Sequence, residues 1–204
     1  MHPETKRTAW RLLLLPPLCV MIAGLYPLLV EGVLLLRAGH SPPEALLRAF
    51  TAADAGSAPA LVAILIIAPL LEEVIFRGIV LRSLDALLPP ALAVLLSAAL
   101  FAAAYWDADQ LLPAFAAGVV FGWVYLATGS LFLPILGHIF WNAQMLLFGW
   151  WPWLELPPAE LAHADGGLPL QPAWWLAVCA AAAVGGAVAL GIGIRRADRA
   201  VILA

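Results

Sequence analysis

Three ionisable side chains lie within six residues of one apolar stretch of the chain: Glu72, Glu73 and Arg77. The flanking residues, 63–78, are hydrophobic enough to lie in a lipid bilayer. There, an ionised group at the centre of a helix costs about 2.5–3.5 kcal/mol on insertion scales. Two adjacent carboxyl groups beside a guanidinium group can hold and transfer protons. A functional role is therefore the first hypothesis for this stretch.

A second polar pair, His138 and Asn142, lies in another apolar stretch. Positions four apart share one face of a helix, so both side chains point the same way. The same spacing predicts an ion pair between Glu73 and Arg77, with glutamate on the favourable N-terminal side. Glu72 is rotated from Glu73 by about 100° on a helix, so it can face a different partner.

Glu72 is the residue that this pairing leaves with an unbalanced charge. Burial and a like-charged neighbour both make a carboxylate hold a proton more readily, as a general base requires. Other interpretations of the pairs remain open. The Glu73–Arg77 pair suits a structural ion pair, Asn142 suits a hydrogen bond between helices, and His138 suits a packed core residue.

The elements that must position these residues are membrane spans. Of the 204 residues, 64% are hydrophobic and 11% are charged, whereas soluble domains carry about 25% charged residues. About 20 apolar residues can cross the hydrocarbon core. The sequence predicts one all-α domain over residues 1–204, a polytopic transmembrane helical bundle. The six predicted spans are Trp10–Leu36, Pro59–Leu84, Pro90–Trp106, Leu111–Thr128, Leu131–Trp151 and Ala173–Ile194.

The distribution of basic residues predicts the orientation of the bundle. With six spans, both termini lie on one side of the membrane. That side then collects Lys6, Arg7, Arg11, Arg82, Arg195, Arg196 and Arg199, against Arg37 and Arg48 on the other. Basic residues favour the cytoplasmic side, so we expect a multi-pass protein of the inner (plasma) membrane with both termini cytoplasmic. The sequence contains no cluster of basic residues that would indicate a nucleic-acid partner, so we expect none.

Glycines in two predicted spans indicate close helix packing. Gly118 and Gly122 form a G-x-x-x-G pattern in the fourth span, and the last span contains Gly185, Gly186, Gly191 and Gly193. Small residues let helix backbones approach one another in membranes. We therefore expect all six glycines to lie at helix contacts.

The Glu72-Glu73-x-x-x-Arg77 motif, followed by His138-x-x-x-Asn142, resembles the CPBP family. This family comprises type II CAAX prenyl endopeptidases and the bacteriocin-processing and bacteriocin-immunity proteins, also called the Abi family. The similarity covers about residues 59–150, which would form the catalytic core. The resemblance implies that Glu72 activates the hydrolytic water, and that Glu73 and Arg77 hold the site together. It also implies that His138 and Asn142 stabilise the oxyanion.

The chain departs from the family pattern at Tyr105. The family has Phe-x-x-x-His in its second motif, and this chain has Phe101-x-x-x-Tyr105. The resemblance implies that this histidine helps to activate water, whereas a phenol can orient water but is a poor base at neutral pH. Three outcomes stay open: a hydrolase that runs on Glu72 alone, a member that has lost catalysis, and a Tyr105 that is merely an interfacial aromatic residue beside Asp107.

Three classes of function follow. The first is an intramembrane endopeptidase of glutamic type, acting in the lipid bilayer on a membrane-anchored protein or peptide. Its substrate would carry a CAAX-type tail, a bacteriocin leader or a C-terminal sorting tail. The second is a non-catalytic immunity or scaffold protein, and the third is a small transporter or proton relay. Zinc sites use three or four ligands, usually His or Cys, and the chain has no His-Glu-x-x-His motif, so we expect no cofactor.

Overall fold

The computed structural model describes residues 12–36, 58–105, 108–148 and 173–202. This part of the chain contains six helices and no strand, so the all-α class predicted from the sequence is confirmed. The predicted span ends at Trp10, Trp106 and Trp151 lie outside the described residues. The helices are α1 (Leu15–Leu36), α2 (Ala58–Asp85), α3 (Pro90–Ala103), α4 (Ala108–Thr128), α5 (Phe132–Phe148) and α6 (Ala173–Ile202).

The helices form a membrane bundle. By length and composition, three are long and apolar enough to cross a membrane: Ala58–Asp85, Gln110–Thr128 and Ala173–Arg196. Leu15–Val30 and Pro90–Ala103 are shorter apolar helices. Large apolar side chains cover the outer surface, as they must where a helix faces lipid. The orientation stays a prediction, because the basic residues near the N-terminus lie outside the described part.

Helix α2 is not a regular α-helix, and its irregularities surround the two glutamates. A π-helical segment, Ala63–Ile67, precedes the α-helical turns Ala68–Glu73, and a second one, Val74–Leu81, follows them. Pro69 explains the first segment. Proline has no backbone N–H, and its ring clashes with the carbonyl four residues earlier. The chain widens there, and the N–H of Ala68 donates to the carbonyl of Ala63.

Glycines bring α4 against α3 as predicted. A methyl group at Gly118 would lie 2.8 Å from both Cα and Cβ of Ala98, and one at Gly122 would lie 3.3 Å from Cγ1 of Val94. Real Cβ atoms essentially never approach another heavy atom within 3.0 Å. The glycine at position 118 is therefore required for α4 to lie this close to α3, where it carries part of the polar cluster described below.

The last span follows the glycine prediction only in part. Gly186 lies against the backbone of Met21 in α1, and a methyl group at Gly193 would lie 2.6 Å from Cδ2 of Leu14. Among the described residues, however, a methyl group at Gly185 would meet nothing within 4 Å, and one at Gly191 would have Nη2 of Arg195 as its nearest atom, at 3.9 Å. The predicted contacts of these two glycines were wrong, because both lie on faces of α6 that do not pack against α1.

Gly186 and Gly185 are adjacent, so they offer a matched test of this packing. We expect Gly186→Ala to destabilise the protein by about 1–3 kcal/mol, because overpacking forces α1 and α6 apart. Gly185→Ala should be neutral or slightly stabilising, since alanine is the better helix former. The measurement is the thermal unfolding midpoint of the two purified variants. Equal midpoints would contradict the close contact between α1 and α6.

Candidate active site

The centre of the polar cluster is a buried ion pair within α2. Nη1 of Arg77 donates to Oε1 of Glu73 at 2.9 Å, and the two side chains are 1% and 0% exposed. Nη2 of Arg77 also donates to the backbone carbonyl of Gly118 on α4, at 3.3 Å. The guanidinium carbon lies 4.6 Å from the ring centroid of Phe101 and 5.6 Å from that of Phe121. The charge of Arg77 is therefore compensated inside the bundle by a carboxylate, a carbonyl and two aromatic rings.

Helix α5 adds His138 to this pair. Its Nδ1 lies 2.8 Å from Oε1 of Glu73, the oxygen that also accepts from Arg77. The imidazole ring stacks on Phe121, with centroids 5.4 Å apart, and contacts the edge of Phe101 at 5.8 Å. His138 is 2% exposed. The ring is thus packed against two aromatic rings and bonded at one nitrogen, which leaves Nε2 to face the remaining member of the cluster.

That remaining member is Glu72, whose side chain is 30% exposed. Its Oε2 accepts a hydrogen bond from the hydroxyl of Tyr105 at 3.0 Å and lies 3.6 Å from Nε2 of His138. The two adjacent glutamates therefore differ sharply. Glu73 is enclosed and neutralised by Arg77, whereas Glu72 is open to an approaching molecule, accepts a hydrogen bond from Tyr105 and lies near His138.

Tyr105 lies inside the cluster, two residues beyond the end of α3. Besides donating to Glu72, its ring contacts the edge of Phe101, with centroids 5.3 Å apart. The Phe-x-x-x-Tyr spacing thus puts the phenol where the second motif would have its imidazole. Asp107, the other neighbour considered for Tyr105, lies outside the described residues.

Asn142 is the one proposed site residue that bonds elsewhere. Its Nδ2 donates to the carbonyl of Ile64 at 3.0 Å, inside the first π-helical segment of α2. Sequence reasoning missed a matching contact: Oγ of Ser97 donates to the carbonyl of Phe76 at 3.0 Å, inside the second π-helical segment. Each π segment on either side of the glutamates thus has one carbonyl bonded by a side chain of a neighbouring helix. In a membrane such carbonyls need a partner within the protein.

The signal for Ser97 was present in the sequence. A serine in an apolar span, four residues before Phe101, shares the face of α3 that meets the cluster. It is 3% exposed, and a buried hydroxyl requires a hydrogen-bond partner. What the sequence could not show was a carbonyl of α2 within reach, because that depends on the π-helical geometry.

Three elements therefore build a cluster of five residues around one accessible carboxyl: α2 with Glu72, Glu73 and Arg77, the end of α3 with Tyr105, and α5 with His138. With a neutral imidazole, the two carboxylates and one guanidinium leave a single negative charge. Such a site can accept a proton. Across the four described stretches, no three His, Cys, Asp or Glu side chains form a group that could hold a metal ion.

Residues 54–144 match the family model described as type II CAAX prenyl endopeptidase Rce1-like. Over this segment, which is less than half of the chain, the sequence is similar to type II CAAX prenyl endopeptidases. All six residues proposed from the sequence lie within the matched segment: Glu72, Glu73, Arg77, Tyr105, His138 and Asn142.

The chain is also similar to a curated protein. The protein named "Putative membrane peptidase YdiL" of Bacillus subtilis (strain 168) is 30% identical to the chain over 106 residues. The match covers 50% of this chain and 43% of that protein, so the chain spans less than half the length of this relative. No solved structure matches the chain significantly.

Proposed function

We propose that this protein is an intramembrane endopeptidase of glutamic type. It hydrolyses a peptide bond in a membrane-anchored protein or peptide with a water molecule activated by Glu72. The observation that carries the proposal is the position of Glu72, an accessible carboxyl between the Tyr105 hydroxyl and the His138 imidazole. Its setting is an apolar helical bundle in which residues 54–144 match the family model of type II CAAX prenyl endopeptidases.

The chemistry follows from the parts of the cluster. A proton passes from water to the carboxylate of Glu72 as the water oxygen bonds to the peptide carbonyl carbon, and the electron pair of the C=O bond moves onto oxygen. The tetrahedral intermediate then collapses, the C–N bond breaks, and the amine nitrogen receives the proton from Glu72. Preorganised donors near such an oxyanion are worth about 2.7–4 kcal/mol each.

The surroundings of Glu72 support a substrate that comes from the bilayer. Leu71 and Ile75, its neighbours on the outer side of α2, are 54% and 46% exposed. A peptide carrying an apolar anchor would contact these side chains as its cleavage site approaches the carboxyl. We therefore propose processing near a chain end: a CAAX-type tail, a bacteriocin leader or a C-terminal sorting tail. We propose the inner (plasma) membrane as its location, with both termini cytoplasmic.

The substitution at Tyr105 favours a second candidate, a family member that has lost catalysis and acts as an immunity or scaffold protein. Tyrosine cannot replace histidine as a base at neutral pH. The two candidates differ in one respect that can be measured directly, namely whether any protein terminus depends on this chain.

The test is a comparison of membrane proteomes from the native host. Protein termini are quantified in the wild type, in a deletion strain, and in the deletion strain carrying the wild-type chain at its natural level. We expect specific membrane proteins to keep an uncut terminal segment only in the deletion strain. A deletion phenotype without any changed terminus would overturn the protease and favour the binding or immunity role.

A further inference from the structure

One oxygen of Glu73 determines how His138 is protonated. Oε1 lies 2.9 Å from Nη1 of Arg77 and 2.8 Å from Nδ1 of His138. A guanidinium only donates hydrogen bonds, and an ionised carboxylate only accepts them. When the imidazole is neutral, Nδ1 must therefore carry its proton and Nε2 must carry a lone pair. This assignment follows from the hydrogen-bond network around the ring.

The lone pair of His138 faces an acceptor. Nε2 lies 3.6 Å from Oε2 of Glu72, and the same oxygen already accepts a hydrogen bond from the hydroxyl of Tyr105. An ionised Oε2 and an unprotonated Nε2 repel each other, and a proton between them makes the contact favourable. The other charged groups facing the pair are Glu73 and Arg77, which neutralise each other. One added proton therefore brings the net charge of the whole cluster to zero.

We propose that Glu72 and His138 together carry the transferred proton, an inference that rests on the proposed hydrolytic function. The O–H bond of the attacking water breaks, and its proton is received between Oε2 of Glu72 and Nε2 of His138. The same proton then passes to the amine nitrogen as the C–N bond breaks. Glu73 acts as a positioning residue that fixes the imidazole, and Tyr105 donates to Glu72 and holds its carboxyl beside Nε2.

This assignment differs from the role that the family resemblance implies for His138. As a permanent oxyanion donor, the ring would need an N–H at Nε2 before the reaction starts. In this chain that N–H forms only after the water proton has been taken up. The imidazole then becomes a donor to the oxyanion at the moment when charge develops there. In this chain, His138 thus takes the part in proton transfer that the resemblance implies for the second-motif histidine, whose position is occupied by Tyr105.

The first test measures the tautomer of His138 and needs no substrate. The full-length protein, labelled with ¹⁵N in its histidine rings, is studied by NMR in lipid at a pH where imidazoles are neutral. The signals missing from His138→Gln identify the ring among the four histidines of the chain. We expect a protonated Nδ1 and an unprotonated Nε2. A proton on Nε2, alone or on both nitrogens throughout, would overturn the inference.

The second test separates proton transfer from hydrogen-bond donation. Glutamine at position 138 keeps an N–H donor but cannot take up a proton, so His138→Gln should lose activity about 10²–10⁴-fold. The readout is the rate of terminal processing in the host at matched protein levels. Gln144→Leu is the control on the same helix, because Gln144 is 2% exposed and its amide has no hydrogen-bond partner in the part of the chain that the structure describes. Activity of His138→Gln within tenfold of the wild type would overturn the inference.

The two tests distinguish this inference from the function on which it rests. If the wild-type chain cuts nothing, the hydrolytic function fails whatever the tautomer. If the wild type cuts its substrate but His138→Gln does so nearly as well, hydrolysis stands and only the proton-carrying role of His138 fails.

Discussion

Glu72→Gln is expected to stop hydrolysis while leaving the protein folded, membrane-inserted and at its normal level. Glutamine has the size of glutamate, and its carbonyl oxygen can still accept a hydrogen bond from the hydroxyl of Tyr105. It cannot accept a proton from water, and loss of a general base costs about 10²–10⁴-fold in rate. The measurement is the fraction of uncut substrate termini in a host whose chromosomal copy carries this single change.

The exposure of Glu72 is what separates activity from stability in this variant. Its side chain is 30% exposed and has no arginine partner, so its replacement leaves no buried charge uncompensated. The thermal unfolding midpoint of purified Glu72→Gln should therefore match that of the wild type. Processing at the wild-type rate by a fully expressed variant would exclude Glu72 as the base. A loss of activity that only followed a loss of protein would assign it a structural role.

Glu73→Ala and Arg77→Ala are expected to reduce the amount of folded protein as well as its activity. Each change leaves a buried charge without its partner, which costs about 3–5 kcal/mol. That is a large part of the stability of an ordinary domain, about 5–15 kcal/mol. The measurements are the quantity of each variant in the membrane and its unfolding midpoint, with Glu72→Gln as the matched control one residue away on the same helix.

A double variant tests the physical reason for this loss. Glu73→Gln combined with Arg77→Met removes both charges, so no charge stays unpaired, and such replacements often cost little. It should accumulate better than either single alanine variant and yet be inactive, because His138 has lost the carboxylate that orients it. Equal stability of Glu72→Gln, Glu73→Ala and Arg77→Ala would contradict the division of roles between the two glutamates.

Much of the fold and part of the cluster could be predicted from local spacing. Apolar length predicted the helices, because a chain in lipid must satisfy its backbone hydrogen bonds within each helix. The i, i+4 spacing predicted the pair between Glu73 and Arg77, and the 100° offset predicted a separate partner for Glu72. Gly118 and Gly186 were correctly placed at helix contacts, whereas Gly185 was not. Residue type alone cannot distinguish two adjacent glycines, and only the structure shows that Gly186 faces α1 and Gly185 does not.

By itself, the sequence determined the class of protein, the resemblance of its core to a known family and the types of side chain available for chemistry. These depend on hydrophobicity and on residue order, which any reader of the chain can see. The tertiary structure alone decided that Tyr105 bonds Glu72, that Glu73 orients His138, and that Asn142 bonds a carbonyl of α2. Each of these contacts joins separate helices, and each depends on how a helix is rotated against its neighbour. In α2 that rotation is changed by two π-helical segments, which apolar periodicity does not reveal.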